Sequence, residues 1–185
     1  EDYLICFRKA YPYAGYIAIN ISSPNTKNLR HLQSEKYLEI LLKVLKNEQK
    51  ILHKKFKKSV PFVVKVSPDN SINQLDSIVK LLLKYKVDGV IATNTTIDRK
   101  GISNSKYSSE EGGLSGAPLN KKSTNVINHL NKCLNGKIPI IGVGGIITAD
   151  DGIEKIKNGA SLIQIYTGLI FKGHGLVNEL RKATR

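Results

Sequence analysis

The sequence contains no methionine, no tryptophan and only two cysteines, Cys6 and Cys133, among its 185 residues. Two cysteines without metal-ligand spacing exclude a disulfide framework, and the four histidines are scattered, so we expect no metal site and a reducing, cytoplasmic setting. No apolar run reaches the roughly 18 residues of a membrane-spanning helix. The opening EDYLICFRKA lacks a signal-peptide layout. The missing methionine indicates a portion of a longer product.

Acidic residues are scarce as well, because the chain has 15 Asp and Glu but 29 Lys and Arg. Its net charge is therefore +14. The excess is mostly lysine, whereas base readout and phosphate recognition favour arginine, and aromatic residues make up only 6%. We therefore expect no nucleic-acid partner. The densest basic run, Leu52–Lys58, is interpreted as a solvated helix end. The open alternative is a basic nucleic-acid or lipid-surface binding module built around Lys43–Lys58.

Apolar β-branched runs alternate with amphipathic stretches along the whole chain. The predicted strands are Tyr16–Asn20, Pro61–Val66, Asp88–Thr93, Ile138–Val143 and Ser161–Ile165. The predicted helices are Ser34–Lys50, Ser71–Lys86, Leu119–Leu134, Ala149–Asn158 and His174–Lys182. Strands without in-out alternation are typical of parallel sheets covered on both faces, so the fold class is α/β. A doubly wound sheet and a (β/α)8 barrel both remain open.

Polar side chains or bare glycine backbone lie at the carboxyl end of every predicted strand. They include Asn20, Ser22, Ser23, Asn25, Lys65, Thr93, Asn94, Thr95, Gly144, Gly145, Tyr166 and Thr167. Ligands meet parallel sheets at the carboxyl ends of the strands, so this rim is the predicted site. The glycines suit a phosphate, and the amides suit a planar polar ligand. Because the rim lacks a catalytic triad or carboxylate pair, a cofactor must carry the difficult step.

Six segments resemble dihydroorotate dehydrogenase of the quinone-linked class 2 branch, bacterial type. They are INISSPNT, VVKVSPD, GVIATNTT, GGLSGAPL, IPIIGVGGI and GASLIQIYTGLIFKG, which occur in the family's order across the chain. The resemblance implies oxidation of dihydroorotate to orotate in pyrimidine biosynthesis, with FMN as first acceptor and a membrane quinone as final acceptor. Ser23 indicates the class, because class 1 enzymes carry cysteine there.

The resemblance also assigns roles to the rim. Ser23 would be the catalytic base, and Thr26 would be a proton relay. Substrate contacts would come from Asn20, Asn25, Asn94 and Thr95. FMN contacts would come from Asn20, Lys65, Thr93, Gly116, Gly145, Tyr166 and Thr167. Position 167 departs from the usual serine, which is harmless if the backbone N–H makes the contact. The long segment Ile97–Pro118 is a candidate lid or binding loop.

The resemblance further implies that residues 1–185 are the C-terminal part of a single FMN-binding domain. They would form about the last five βα units of a (β/α)8 barrel. A missing N-terminal part would contact membrane and quinone and place the enzyme on the inner face of the cell membrane. Alone, this chain is expected to fold poorly and be inactive. The rival function is another FMN- or phosphate-binding barrel oxidoreductase.

Overall fold

The computed structural model describes residues 1–184, which form a parallel sheet flanked by helices. The strands are β1 (Ile17–Asn20), β2 (Phe62–Val66), β3 (Gly89–Ala92), β4 (Ile140–Val143) and β5 (Leu162–Gln164). The helices are α1 (Asp2–Ala10), α2 (Glu35–Phe56), α3 (Ile72–Lys84), α4 (Asn120–Leu134), α5 (Ala149–Lys157), α6 (Thr167–Lys172) and α7 (His174–Ala183). The alternating order confirms the predicted α/β class.

The order of the strands decides between the two architectures that the sequence left open. Each strand pairs in parallel with the next one along the chain, in the order β1-β2-β3-β4-β5. A doubly wound sheet reverses its strand order at a switch point, and no reversal occurs within residues 1–184. The sheet is therefore wound in one direction, as a partial (β/α)8 barrel is.

The two faces of the sheet have different surroundings. On the outer face Ile19, Phe62, Val64 and Val90 join the large apolar core built with the helices. On the inner face, Val63, Ile91 and Val143 form a small separate cluster. Side chains alternate between the faces, and Lys65 follows Val63 on the inner face, toward the carboxyl ends of the strands. The winding of the sheet thus directs a lysine inward at the rim.

Helix ends follow the capping signals of the sequence. Ser71 caps α3 in a capping box with Gln74, as expected for an N-cap serine. Thr148 and Asp151 form the same arrangement at the start of α5. Gly159, with φ +108°, follows α5 in the left-handed region where helices commonly end.

Three helices differ from the prediction, and one of them is the short α6, which is absent from the predicted helices. Helix α1 was not predicted, although Asp2 in its first turn and two basic residues in its last turn suit a helix dipole. Helix α2 extends to Phe56 rather than Lys50, because Leu52 continues the buried face formed by Leu38, Leu42 and Leu45. Because Leu52 lies in a basic run of the sequence, its buried position was not predicted. Within residues 1–184, no helix combines the length and apolar character that crossing a membrane requires.

Candidate functional site at the carboxyl ends of the strands

A cavity of about 120 Å³ opens where β2 to β5 end. It is lined by Lys65, Thr93, Asn94, Thr95, Ser115, Leu119, Val143, Gly144, Gly145, Ile146, Gln164, Ile165, Tyr166, Thr167 and Gly168. Whole ligand sites usually measure about 300–1,000 Å³, so this cavity is smaller than a usual whole site. Seven of the predicted site residues line it. Asn20, Ser23, Asn25 and Gly116 lie outside its lining.

The amides after β1 and β3 form one hydrogen-bonded network. Asn94 Nδ2 donates to Asn20 Oδ1 at 2.9 Å and to Ser22 Oγ at 3.0 Å. Asn94 Oδ1 accepts from the Thr95 backbone N–H at 2.9 Å. With Asn20 Oδ1 committed as an acceptor, Asn20 Nδ2 has no partner among residues 1–184 and remains free to donate. The network therefore presents a donor to a ligand oxygen.

Ser23 lies in a tight turn beside this network. Its Oγ accepts from the Asn25 backbone N–H at 3.2 Å, and its side chain is half-buried. Asn25 and Thr26 are exposed. Asn25 reaches the loop after β3, because a Cβ on Gly112 would lie 3.3 Å from Asn25 Oδ1. The loop thus packs close to Ser23, while Thr26 faces solvent.

Two polar side chains on the inner face lack partners of their own. Burial lowers the pKa of the half-buried Lys65, and none of the ion pairs in residues 1–184 includes this lysine. Gln164 Oε1 is buried and has no hydrogen-bond donor within residues 1–184. Unpaired polar atoms in such positions are destabilising, and both line the cavity. A ligand that accepts from Lys65 and donates to Gln164 Oε1 would satisfy both groups.

The glycine loop after β4 packs tightly on the start of α4. Gly145 has φ +75°, and a Cβ there would lie only 2.3 Å from the Cα of Asn120. Asn120 Nδ2 donates to the Gly145 carbonyl at 3.0 Å and to Asp151 Oδ1 at 2.8 Å. Only glycine fits at position 145, and Gly144 and Gly145 both line the cavity. Gly116, at φ +77°, approaches Thr167 at the same end of the cavity.

A buried lysine behind the glycine loop was missed by the sequence analysis. Lys155 of α5 is fully buried, and its Nζ donates to Asn120 O at 2.8 Å, to Ser123 Oγ at 2.9 Å and to Thr124 Oγ1. Ser123 Oγ also donates to Gly144 O at 2.8 Å. Burial lowers the pKa of Lys155 to about 8, and nearby acidic side chains offset this only in part. Lys155 thus ties α5 to α4 beneath the loop.

A second missed cluster supports the loops after β1, β2 and β3. Asp69 pairs with Arg30 at 3.0 Å and with Lys122 at 2.7 Å. Burial raises the pKa of Asp69, but hydrogen bonds from Lys122, Thr96 and the Ile97 N–H outweigh it, so the pKa lies below its usual value. Arg30 also donates to the carbonyls of Ser22 and Thr95. The acidic residue in VVKVSPD was the available signal.

The segment Ile97–Pro118 is anchored at its base by Arg99. The guanidinium donates to the carbonyls of Thr96 at 3.2 Å, Glu110 at 2.9 Å and Gly112 at 2.6 Å. Thr96 and Leu114 form an isolated antiparallel bridge across the base. The loop is thus closed on itself next to Ser23. Its role as a lid stays a prediction.

The basic stretch Lys43–Lys58 is partly occupied by structural contacts. Lys46 pairs with Asp88 at 3.2 Å, and Lys58 Nζ donates to the carbonyls of Pro12 and Ala14. These lysines contact the segments that precede β1 and β3. That use weakens the interpretation of α2 as a binding module.

One correction concerns the scattered histidines. His129 and Cys133 lie one turn apart on α4, and Cys133 Sγ is 3.6 Å from His129 Nε2. Asp76 of α3 joins them at 2.8 Å from the same nitrogen. The four-residue spacing was visible in the sequence and was overlooked.

Comparisons with known proteins show the family to which the chain belongs. The family model described as dihydroorotate dehydrogenase matches residues 1–184. The chain belongs to the dihydroorotate dehydrogenase family. A relative from Cronobacter sakazakii, named dihydroorotate dehydrogenase (quinone), is 54% identical over 180 residues. The alignment covers 97% of this chain and 54% of that protein. One from Shewanella sp. (strain MR-4), named likewise, is 51% identical over the whole chain and 55% of its own length.

Solved structures support membership of the dihydroorotate dehydrogenase family. A crystal structure of DHODH from Eimeria tenella in complex with ferulenol superposes with a TM-score of 0.93 at 32% identity. The superposition covers 99% of this chain and 52% of the Eimeria tenella chain. The ligand-free structure from the same organism gives a TM-score of 0.91. The chain spans about half the length of the relatives it matches.

Proposed function

We propose that the protein oxidises dihydroorotate to orotate in pyrimidine biosynthesis, with FMN as hydride acceptor and a quinone as final acceptor. The observation that carries this proposal is the family match over residues 1–184, with relatives of 51–54% identity named dihydroorotate dehydrogenase (quinone). Because the quinone is a membrane molecule, we place the protein at the inner face of the cell membrane.

The described residues fit FMN. A phosphate would approach the backbone of the Gly145 loop, where a Cβ has no room, and the neighbouring Gly116 and Thr167. Lys65 and Gln164 offer polar atoms without partners for the isoalloxazine ring. When bound, FMN would supply the hydride acceptor, which no side chain of the rim can replace.

The amide network would orient the substrate. Asn20 Nδ2 is available to donate, and exposed Asn25 stands across the same turn. Dihydroorotate carries carbonyl and carboxylate oxygens, which accept such hydrogen bonds. Asn94 and Thr95 would complete the contact, because the Thr95 backbone N–H donates to Asn94 Oδ1 and fixes the Asn94 side chain beside Thr95.

Ser23 would accept the proton that leaves the substrate. A serine hydroxyl is a weak base, so it needs a position that excludes water and a route for the proton. Ser23 is half-buried beside the loop that contains Gly112, whereas Thr26 is exposed three residues later. We place the proton route from Ser23 Oγ to Thr26 and then to solvent. Lys65 would stabilise negative charge on the reduced cofactor through its half-buried ammonium.

The test uses the full-length protein with Ser23→Ala and the control Ser59→Ala, an exposed serine at the amino end of β2. Anaerobic addition of dihydroorotate should bleach the flavin absorbance of the wild type and the control. Ser23→Ala should retain flavin and bleach about 10²–10⁴ times more slowly. Ser23→Cys should recover part of the rate, since a thiol ionises far more readily than a hydroxyl and its thiolate can accept the proton.

Each other result rejects a defined part of the proposal. Absence of bound flavin in the wild type rejects the cofactor. Bound flavin that dihydroorotate does not bleach favours another flavin-dependent oxidoreductase of this fold. A Ser23→Ala rate within a few-fold of the wild type rejects Ser23 as the base and leaves the overall reaction standing.

A further inference from the structure

Asp76, His129 and Cys133 form a cluster on the outer helical layer, away from the rim. His129 and Cys133 lie four residues apart on α4, so one face of that helix presents both toward α3, which carries Asp76. The three ligand atoms all lie within 4.8 Å of one another. His129 is 20% and Asp76 43% exposed, so ions in solution can reach them.

The distances resemble those of an occupied metal site. A tetrahedral zinc ion at ordinary bond lengths separates its nitrogen and oxygen ligands by about 3.4 Å and pairs that include sulfur by about 3.6 Å. Cys133 Sγ lies 3.6 Å from His129 Nε2 and 3.7 Å from Asp76 Oδ1. The Asp76–His129 separation is 2.8 Å, a hydrogen bond. Only that pair must move apart, by about 0.6 Å, to admit the ion.

The same geometry argues against a nucleophilic triad. In a triad the histidine uses one ring nitrogen for the nucleophile and the other for the carboxylate. Here Asp76 and Cys133 both approach Nε2 of His129. Burial and the nearby Asp76 carboxylate also raise the pKa of the Cys133 thiol, which leaves it a poor nucleophile. Convergence of three ligand types on one point is what a cation requires.

We propose that Asp76, His129 and Cys133 bind a zinc-like divalent cation between α3 and α4, with a fourth position open to water. Imidazole, thiolate and carboxylate are the three ligand types of zinc, whereas calcium and magnesium take oxygen ligands. The two anionic ligands neutralise the charge of the dication. The site connects two helices of the outer layer, and it is independent of the oxidation chemistry at the rim.

The experiment adds Zn²⁺ to the purified full-length protein and follows alkylation of Cys133 by peptide mass mapping. Cys6, the other exposed cysteine, serves as an internal control. Zn²⁺ should slow alkylation of Cys133 about tenfold or more and leave Cys6 unchanged, because a metal-bound thiolate is blocked. His129→Ala should abolish the protection. Asp76→Asn should weaken it, because a neutral amide replaces an anionic ligand.

Zinc uptake, measured by competition with a chromogenic chelator, provides the second readout. The wild type and Cys6→Ser should take up one more equivalent than Cys133→Ser. The proposal would be overturned if all three proteins took up the same amount of zinc, or if Zn²⁺ left the alkylation rate of Cys133 unchanged. The cluster would then be a hydrogen-bonded contact between two helices. Flavin content and dihydroorotate turnover report on the rim separately, so the two proposals fail independently.

Discussion

Replacing Lys155 by methionine should change how the stability of the protein depends on pH. Lys155 is fully buried behind the glycine loop, and its Nζ contacts three oxygens, none of them a carboxylate. Burial lowers its pKa from 10.5 to about 8. Methionine keeps a similar length and shape and removes both the charge and the hydrogen bonds.

The direction of the effect follows from the lowered pKa. Above pH 8 the folded protein releases the proton of Lys155, whereas the unfolded chain holds it up to about pH 10.5. The unfolded state then binds more protons, so the free energy of unfolding rises with pH in this window. From pH 7 to pH 10 the wild type should gain about 2 to 3 kcal/mol relative to Lys155→Met, at about 1.4 kcal/mol per pKa unit. The contributions of the other titrating groups are the same in the wild type and in Lys155→Met, so they cancel in the difference between the two proteins.

The absolute difference at pH 7 is less informative. Loss of three hydrogen bonds destabilises the variant by about 3 kcal/mol, and removal of an unpaired buried charge stabilises it by a similar amount. The measurement is therefore chemical unfolding of both proteins at several values between pH 7 and pH 10. Lys157→Met, an exposed lysine of the same helix, is the control. A constant difference between wild type and Lys155→Met across this range would refute the reasoning.

Two further predictions concern the supports of the rim. Asp69→Asn breaks two half-buried ion pairs and should lower the free energy of unfolding by about 3 kcal/mol in chemical denaturation, whereas exposed Asp150→Asn should change it little. An unchanged midpoint would contradict the support role. Gly145→Ala should weaken flavin retention on dilution about tenfold or more, because the new Cβ meets the backbone of Asn120. Gly175→Ala, where a Cβ meets nothing within 4 Å, should retain flavin like the wild type.

The sequence allowed the five βα units to be placed to within a few residues, because buried strands and amphipathic helices have different hydrophobic periods. It also located the rim, since parallel strands end at one edge. Leu52 shows where this reasoning stops. Leu52 lies among lysines and a histidine, so the local composition predicted an exposed position. The packing of α2 nevertheless makes Leu52 part of the core. The α1 helix was overlooked because Phe7 is its single buried residue.

The roles of charged residues depended on the tertiary structure. Lys155 in IEKIKNGA has the pattern of a solvated helix residue, and only the packing of α4 on α5 surrounds it with oxygens. Asp69 is the last residue of the motif VVKVSPD, in which only Lys65 was assigned a role, and its partners Arg30 and Lys122 are 39 and 53 residues away. Local patterns carry no information on such distant partners.

The sequence by itself determined the fold class, the family and the side chains offered at the strand ends, because these depend on local periodicity and on ordered motifs. The tertiary structure decided that the sheet winds in one direction, that Asn94 orients Asn20, and that Asp76 meets His129 and Cys133. The physical reason is that hydrogen bonds and ion pairs depend on distance in space, which only the packing of helices against the sheet fixes.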